Sequence, residues 1–218
     1  MIQEYANRAV QCLENSENDR VLIALAGVPG SGKSTIANRI SNYMNTNSNV
    51  KCTVVGIDGF HLSRDQLRKL PNPEFAFARR GAPFTFDAEA VVRFVRRLRK
   101  TCQNCQRGVI YAPSFDHKLK DPVPNGVTIE PETSIVIIEG LYLLLDLEPW
   151  KEIASLVDEK WMIKADLEVC RTRVAKRHVE ADIEHDLESA YKRVDSNDIV
   201  NAKFILQHTA SVVDTYLL

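Results

Sequence analysis

The stretch from Gly27 to Ser34 reads G-x-x-x-x-G-K-S, a spacing that suits the binding of a phosphate group. Its glycines let the backbone fold tightly and bring successive N–H groups to face one phosphate. A helical pattern follows at once, so the partial positive charge of a helix N-terminus adds to those donors. The residues that we predict to bind a nucleotide here are Gly27, Gly30, Ser31, Gly32, Lys33, Ser34 and Thr35.

Two side chains of this stretch add further chemistry. Lys33 can reach the outer phosphates as a point charge, and the Ser34 hydroxyl can ligate Mg²⁺. The alternative is a glycine-rich turn that binds nothing. We favour the phosphate site, because the apolar run of residues 21–26 and the helical pattern provide the strand-loop-helix context that the motif requires.

Two carboxylates follow other apolar runs. Asp58 comes after a predicted strand of residues 51–57, and Glu139 ends a predicted strand of residues 134–138. Residues just past the carboxyl ends of parallel strands line the ligand crevice, so Asp58 lies where a reacting group should be. Glu139 lies where a residue that holds Mg²⁺ or a Mg²⁺-bound water belongs, and a buried carboxylate there needs a counter-ion. The alternatives are a solvated aspartate, favoured by the neighbouring Gly59, and a structural glutamate.

A strongly cationic helix is predicted from Asp166, a suitable N-cap, to about Ala181. Arg173 and Arg177 are four residues apart and therefore share one face of it. In an enzyme with a phosphate loop, such a helix can close over the phosphates and stabilise charge in the transition state. The alternative is a solvated basic helix.

Two further segments are candidates for an acceptor site. Residues 62–86 have no clear periodicity, and a segment so long is more often functional than filler. Within it, Arg79 and Arg80 either face a ligand or form a solvated pair. Residues 113–118 contain Phe115, Asp116 and a histidine, which suit either an acceptor loop or a proline turn anchored by its phenylalanine.

The elements that must position these residues alternate between strand and helix patterns, which predicts an α/β fold with a mainly parallel sheet. The segment 121–126 is rich in proline, Asn and Gly and predicts a turn. Residues 212–217 fit either a strand or a helical turn. A chain of 218 residues with 44% hydrophobic content can build one well-packed domain, so we predict a single domain over 1–218 with a small lid.

Composition excludes several classes of function. The formal net charge of −1 argues against nucleic acid or an anionic membrane as the main partner. The five cysteines, without an N-terminal signal pattern, favour a reducing compartment, and we expect a cytoplasmic protein. Cys102 and Cys105 form a lone CxxC, which is weak evidence for zinc. No apolar run is long enough to span a bilayer.

Taken together, the ordered motifs of the chain resemble the uridine kinase, pantothenate kinase and phosphoribulokinase superfamily. The resemblance covers residues 18–215 and is greatest for a uridine-kinase-like or pantothenate-kinase-like branch, of which we take the uridine-kinase-like one first. It implies a P-loop NTPase fold with three α/β/α layers and a helical lid at about 166–185. The motifs are the phosphate loop, Asp-Gly-Phe-His from residue 58, Arg-Arg-Gly-Ala-Pro-Phe from residue 79, Pro-Ser-Phe-Asp-His from residue 113, Ile-Ile-Glu-Gly-Leu-Tyr from residue 137, and Arg-x-x-x-Arg-His from residue 173.

The resemblance also implies an activity and a role for each site residue. Members of the superfamily transfer the γ-phosphoryl group of ATP to a small-molecule alcohol with Mg²⁺. Asp58 resembles the base that activates the acceptor hydroxyl, and Glu139 takes the Walker B role beside Ser34. The remaining matches are Lys33 as a catalytic phosphate ligand, Arg173 and Arg177 as lid arginines, and His61, Arg80, Phe115 and Asp116 as acceptor-pocket residues.

The acceptor is left open by these motifs. A nucleoside such as uridine or cytidine is the first hypothesis, and pantothenate, a sugar or a sugar acid is the second. The string Phe115-Asp116-His117 departs from the Tyr-Asp-Phe of uridine kinases, and the acceptor region is shorter than that of pantothenate kinases. A third hypothesis, from another class, is a nucleotide-dependent switch or assembly factor that hydrolyses ATP slowly.

Overall fold

A computed structural model of the chain describes residues 1–103, 107–116, 118–209 and 213–218. The strands in this part of the chain are β1 Val21–Ala26, β2 Lys51–Gly56, β3 Ile110–Asp116, β4 Asp121–Ile129, β5 Thr133–Gly140, β6 Glu159–Ile163 and β7 Thr215–Leu217. The helices are α1 Ile2–Glu14, α2 Lys33–Asn47, α3 Arg64–Arg68, α4 Pro73–Ala78, α5 Ala88–Lys100, α6 Ile153–Leu156, α7 Leu167–Glu180, α8 Leu187–Ser196 and α9 Asp198–His208. Short 3₁₀ turns occupy Ile57–Phe60, Pro83–Thr85 and Trp150–Glu152.

Five strands form the main sheet in the order β2-β5-β1-β6-β7, and every pairing in it is parallel. The central strand β1 is buried along its whole length, as expected for a strand covered on both faces. Its register sets Ala26 beside Gly140, while Gly56 lies beside Glu139. The carboxyl ends of β1, β2 and β5 therefore meet at one edge of the sheet.

Helices cover both faces of this sheet. Side chains of α1 and α2, such as Ala9 and Ile40, pack with Ile23 on one face. Side chains of α5, such as Val95, pack with Leu22 on the other face. This arrangement confirms the predicted three-layer α/β fold with a mainly parallel sheet. The predicted strand 134–138 is longer than expected, because it runs to Gly140 and includes Glu139.

A separate antiparallel hairpin, β3 with β4, corrects two sequence predictions. The predicted acceptor loop lies in β3 as far as Asp116, and the predicted turn 121–126 lies in β4. The prolines in both segments favoured turns. Both strands of a two-stranded ribbon are edge strands, however, and edge strands tolerate proline because one side of each makes no ladder hydrogen bonds. Residue 117 lies outside the described residues.

The segment 62–86, which we predicted to be irregular, contains two short helices and a 3₁₀ turn. Ser63 and Gln66 form a capping box at the start of α3, and the Asn72 side chain caps α4. Each helix has only about one turn, whereas a hydrophobic period needs a window of roughly 11 residues or more to be recognised.

The C-terminal part contains α7, α8 and α9. Asp166 caps α7 as predicted, since its carboxylate accepts the N–H groups of Glu168 and Val169. A small apolar cluster that includes Val174 and Val194 joins α7 to α8. The strand alternative for 212–217 is the one observed, as β7 pairs with β6, although residue 212 is outside the described residues. In the described ranges no helix has the length and apolar character needed to cross a membrane.

Candidate active site

The phosphate loop connects β1 to α2 in a conformation that only glycine adopts easily. Gly30 and Gly32 have φ angles of +76° and +90°, in the left-handed region. A Cβ added at Gly27 would lie 2.8 Å from Ser31 Oγ, so a side chain there would press into the loop. Because α2 begins at Lys33, its first N–H groups have no carbonyl partner within the helix and can receive an anion.

A cavity of about 220 Å³ opens above this loop. The Ser31 hydroxyl is buried within the loop itself and has no hydrogen-bond partner, although an unpaired buried hydroxyl costs free energy. An anionic ligand that accepts a hydrogen bond would satisfy it. The loop therefore fits a phosphate chain. The residues that line the cavity are Gly30, Gly32, Lys33, Ser34, Thr35, Arg173, Val174 and Arg177.

Lys33 provides the positive charge at the centre of the site. Its Nζ donates to the carbonyl oxygen of Val28 at 3.2 Å. Burial lowers the pKa of Lys33, while the carboxylates of Glu139 and Asp58 oppose that shift. The predicted phosphate ligand and both predicted carboxylates therefore interact electrostatically in one place.

Ser34 and Glu139 form a pair of oxygen ligands. Ser34 Oγ donates to Glu139 Oε1 at 2.9 Å. Burial raises the pKa of Glu139, whereas the charge of Lys33 and the hydrogen bond from Ser34 lower it. A bound cation would stabilise this carboxylate further. The absence of a side chain at Gly56 leaves room for the Glu139 carboxylate, since a Cβ at Gly56 would lie 3.0 Å from Glu139 Oε1.

The donor set of this pair fits Mg²⁺ rather than a dedicated protein cage. Mg²⁺ usually binds through one or two protein oxygens and keeps waters and substrate phosphate oxygens as its other ligands. No cluster of three or more His, Cys, Asp or Glu side chains that could hold a metal is present among the described residues. Ser34 and Glu139 are thus a suitable partial ligand set beside the phosphate loop.

Asp58 lies on the 3₁₀ turn that follows β2, and its side chain is 52% exposed. The turn packs directly on the hairpin, because a Cβ at Gly59 would lie 2.2 Å from the backbone oxygen of Pro113. His61 closes the turn, with Nδ1 2.8 Å from the Asp58 carbonyl oxygen and 4.0 Å from Oδ1. The Asp58 carboxylate is therefore accessible to solvent, and it lies near enough to Lys33 and Glu139 to act on both electrostatically.

An aromatic cluster adjoins Asp58. The His61 ring centroid lies 3.9 Å from that of Phe86 and 5.1 Å from that of Phe115. The guanidinium carbon of Arg80 lies 5.3 Å from the centre of the Phe115 ring. Three of the four residues predicted to form an acceptor pocket are therefore neighbours.

Arg80 and Asp116 also hold the hairpin in place. Arg80 donates to the carbonyl oxygens of Lys120 at 2.6 Å and Leu62 at 3.1 Å, and it pairs with Asp121 at 3.4 Å. Asp116 Oδ1 accepts the N–H groups of residues 118 and 119, which caps the turn between the strands. In this conformation both side chains shape the pocket by positioning its walls.

The two arginines of α7 face the same cavity as the phosphate loop. Arg173 donates to the carbonyl oxygen of Gly30 at 3.4 Å. Arg177 is near enough to Lys33 to lower the pKa of that ammonium group. Their four-residue spacing therefore brings two cations to the phosphate side of the site.

Sequence reasoning missed a polar network behind the pocket. Arg79 is half-buried and donates to the side-chain oxygens of Asn197 and Asn201, at 3.0 Å each. The Tyr142 hydroxyl donates to the carbonyl oxygen of Gly81. The sequence signal at this position is a run of three polar residues, 196–198, which by itself indicates no more than a break between two helices.

Comparisons with known proteins agree with this geometry. A model of the Phosphoribulokinase / Uridine kinase family matches residues 22–205. The ATP-dependent kinase-like protein notR' of Aspergillus versicolor is 46% identical over 156 residues, which are 72% of this chain and 90% of that protein. The Schizosaccharomyces pombe protein C227.14, named provisionally as a uridine kinase, is 40% identical over 203 residues, with 93% of this chain and 84% of that protein covered.

Two solved structures resemble the whole chain. The crystal structure of YFH7 from Saccharomyces cerevisiae, described provisionally as a P-loop kinase with a circular permutation, has a TM-score of 0.87 at 25% identity and covers 100% of this chain and 98% of its own. A Silicibacter structure, described provisionally as a fructose transport system kinase, has a TM-score of 0.85 at 27% identity, with 100% and 99% covered. With the family model matching most of its length, the chain belongs to the Phosphoribulokinase / Uridine kinase family and is a P-loop kinase.

Proposed function

We propose that the protein transfers the γ-phosphoryl group of ATP to a hydroxyl group of a small molecule. The first candidate class is the nucleosides, with uridine and cytidine first. The observation that carries the proposal is the convergence of Lys33, Glu139 and Asp58 at one sheet edge. A nucleotide site alone needs the first two. A carboxylate accessible to solvent opposite the phosphate loop serves an acceptor hydroxyl.

Binding and orientation of the nucleotide fall to the phosphate loop. The N–H groups at the start of α2 and the Ser31 hydroxyl bind phosphate oxygens, and Lys33 offsets their charge. Ser34 and Glu139 would hold Mg²⁺. When bound, this ion neutralises part of the charge that develops on the phosphates. Phosphoryl transfer asks the protein mainly for such positioning and charge stabilisation.

The acceptor side completes the reaction. Asp58 accepts the proton of the attacking hydroxyl as transfer proceeds. Arg173 and Arg177 stabilise charge on the moving group, and α7 closes as part of a lid over about 166–185. Closure excludes water, which would otherwise turn transfer into ATP hydrolysis. Phe115 and His61 offer aromatic rings to the acceptor.

The preference for a nucleoside has two supports. Aromatic rings beside Asp58 can stack on a planar base. A relative 40% identical is also named provisionally as a uridine kinase. Sugars, sugar acids and pantothenate are the second acceptor class, supported by the 27% identical structure that is described in terms of fructose transport.

The experiment that tests the proposal measures ADP formation from Mg-ATP with uridine, cytidine, nicotinamide riboside, pantothenate, glycerate and fructose. Mass spectrometry identifies the phosphorylated product. We expect a nucleoside to stimulate ADP formation and to gain one phosphoryl group. Stimulation by a sugar or acid instead would select the second class. Slow ADP formation that no acceptor changes would contradict the kinase proposal and favour a nucleotide-dependent switch.

A further inference from the structure

Residues 79–86, here called the acceptor segment, begin with two arginines that bind different parts of the molecule. The Arg79 guanidinium donates to the side-chain oxygens of Asn197, directly before α9, and Asn201, in its first turn. The Arg80 guanidinium instead donates to a carbonyl oxygen in the turn between β3 and β4. The segment is therefore held on one side by the start of α9, while its second arginine reaches the hairpin.

Asn197 lies at the centre of the contact with α9. Its Oδ1 accepts from Arg79 at 3.0 Å and from the Asn201 side-chain amide at 3.3 Å. Its own side-chain amide donates to the carbonyl oxygen of Arg80 at 2.9 Å. Both asparagines are almost fully buried. Because both polar atoms of the Asn197 side chain are bonded, this buried network fixes one arrangement of the segment against the helix.

The hydrogen bond to the Arg80 carbonyl oxygen acts on the backbone next to Gly81. Gly81 has a φ angle of +102°, in the left-handed region, and its carbonyl oxygen accepts from the Tyr142 hydroxyl. Glycine gives the backbone wide conformational freedom, so contacts with other elements must fix the chain here. The bonds from Asn197 and Tyr142 thus hold two successive carbonyl oxygens in place.

The Arg80 side chain extends from this fixed backbone to the aromatic cluster of the pocket. Its guanidinium carbon lies 5.3 Å from the centre of the Phe115 ring, and the side chain is 15% exposed. Nε of Arg80 is buried and has no hydrogen-bond partner among the described residues, although an unpaired buried N–H costs free energy. An oxygen of a bound acceptor would satisfy it. Acceptor binding therefore depends on where the backbone places this side chain.

The start of α9 is joined to the lid as well. Ile199 packs against the apolar cluster that contains Val174 of α7, and Val174 lines the phosphate cavity. Asp198 Oδ2 lies 3.9 Å from Nε2 of His178, also in α7. The acceptor segment is thus attached to an element that also supports the lid.

We propose that Asn197 is a positioning residue for acceptor binding. It holds the Arg80 backbone, and with Asn201 it holds the Arg79 guanidinium, so that the Arg80 side chain stays beside Phe115. The proposal rests on the proposed function, because it assigns Arg80 and Phe115 to the acceptor pocket. It gives the start of α9 a role in acceptor affinity, although it lies outside the phosphate loop.

Steady-state kinetics separates this role from general support of the fold. Asn197→Ala should raise KM for uridine, or for whichever acceptor of the panel is phosphorylated, by about tenfold and leave KM for ATP unchanged. Loss of folded protein alone would lower kcat, through the amount of active enzyme, and would change neither KM. A KM for the acceptor within about twofold of the wild-type value would overturn the proposal.

Two other asparagines serve as matched controls. Asn45 also joins a helix to another element, because its side chain bonds both backbone groups of Cys52 in β2. Asn45→Ala should change neither KM, and an equal rise in KM for the acceptor would assign the effect to stability. Asn201→Ala removes one bond to Arg79 but keeps the bond to the Arg80 carbonyl oxygen, so its rise should be smaller than that of Asn197→Ala.

Arg79→Ala covers the case in which Asn197→Ala does not fold. It removes the other end of the network and leaves both asparagines in place, so it should also raise KM for the acceptor and not KM for ATP. In the double variant the rise should be no larger than that of Asn197→Ala alone. Rises that multiply would show that the two residues act independently, against the proposal.

Hydrogen exchange tests the positioning without turnover. In the protein without ligand, Asn197→Ala should speed exchange at residues 79–86 and at 118–121, the turn that Arg80 binds, whereas Asn45→Ala should not. Equal exchange in the wild type and both variants would overturn the proposal. If the wild type transfers phosphate to no acceptor, the proposed function fails, and the exchange result still decides whether Asn197 holds the segment.

Discussion

Ser34 on the phosphate-loop helix donates to Glu139 near the end of β5 at 2.9 Å. The two residues are 105 positions apart, and the parallel pairing of β1 with β5 brings them together. Their oxygens are the protein ligands of the proposed Mg²⁺ site next to Lys33. The contact joins the phosphate loop to a second strand end, so the geometry of a bound ion depends on the sheet rather than on a flexible loop.

Glu139→Gln tests this cation site. The amide keeps an oxygen that can accept from Ser34 but removes the charge, so kcat should fall by about 10²-fold or more. Because burial raises the pKa of Glu139, loss of its charge should not lower stability. Kinetics across a Mg²⁺ titration and a thermal melt check both outcomes.

Glu132→Gln is the matched control. Glu132 is 62% exposed, lies near the start of β5 and pairs with Lys51 at 3.9 Å. It should leave kcat and its Mg²⁺ dependence unchanged. A Glu139→Gln variant with wild-type kcat would exclude Glu139 as a metal ligand.

Asp58→Asn tests the proton acceptor. The amide cannot take a proton from the acceptor hydroxyl, so kcat should fall by about 10²- to 10⁴-fold while ATP still binds. Calorimetry with an ATP analogue measures binding, and product formation measures transfer. Asp65→Asn, at an aspartate that is 81% exposed, is the control. An unchanged kcat in Asp58→Asn would remove this residue from the mechanism.

Phe115→Ala tests the aromatic side of the acceptor pocket. The Phe115 ring packs near His61, and the Arg80 guanidinium lies over its face. Loss of the ring should therefore raise KM for the acceptor far more than KM for ATP. Tyr111→Ala removes a ring from the same strand that is 49% exposed and should change neither constant. Equal effects on both KM values would assign Phe115 to the packing of the hairpin instead.

Much of this site follows from sequence alone, for a physical reason. Residues 27–35 form a local motif whose glycines need no distant partner. The positions of Asp58 and Glu139 in the site are predictable because the carboxyl ends of parallel strands lie at one edge of the sheet. Residues at the ends of the neighbouring strands β2 and β5 therefore lie close together.

The rest of the site depends on distant contacts between short elements. The Arg79 contact with Asn197 spans 118 residues, and nothing local distinguishes it from a solvated arginine. The β3–β4 hairpin was hidden by its prolines, since turn signals and strand signals conflict there. Arg80 binds the carbonyl oxygen of Lys120 in the hairpin turn, which becomes its neighbour only once β3 and β4 have paired.

The His178 and Asp198 pair should make stability depend on pH in two opposite ways. The pKa of Asp198 is raised in the folded state to about 6, so its stabilising effect is present below pH 4 and lost as pH rises through 6. The pKa of His178 is lowered to about 4, so its effect is present above pH 6.5 and lost as pH falls through 4. Each effect is on the order of 1–3 kcal/mol, and the two oppose each other between pH 4 and 6.5.

Single variants separate the two effects. Between pH 6.5 and 4.5, Asp198→Asn should lose stability relative to the wild type because only the His178 effect remains. His178→Gln should gain stability relative to the wild type over the same range. Urea unfolding at several pH values measures both changes, with the charges around the pair, Arg177, Arg193, Arg79 and Glu184, left in place. Parallel pH curves for all three proteins would show that the pair does not titrate in this way.

Arg177→Ala tests the charge that α7 directs at the phosphates. Arg177 lines the cavity above the phosphate loop and acts electrostatically on Lys33, so its loss should lower kcat by about 10³-fold if it works as an arginine finger does. Arg171→Ala is the control on the same helix, because Arg171 pairs with Asp195 on the outer face. It should change kcat little, and KM for ATP should be similar in both variants. A fall of less than tenfold in Arg177→Ala would reduce Arg177 to a surface cation and leave Arg173, which contacts the carbonyl oxygen of Gly30, as the arginine to examine on the phosphate side.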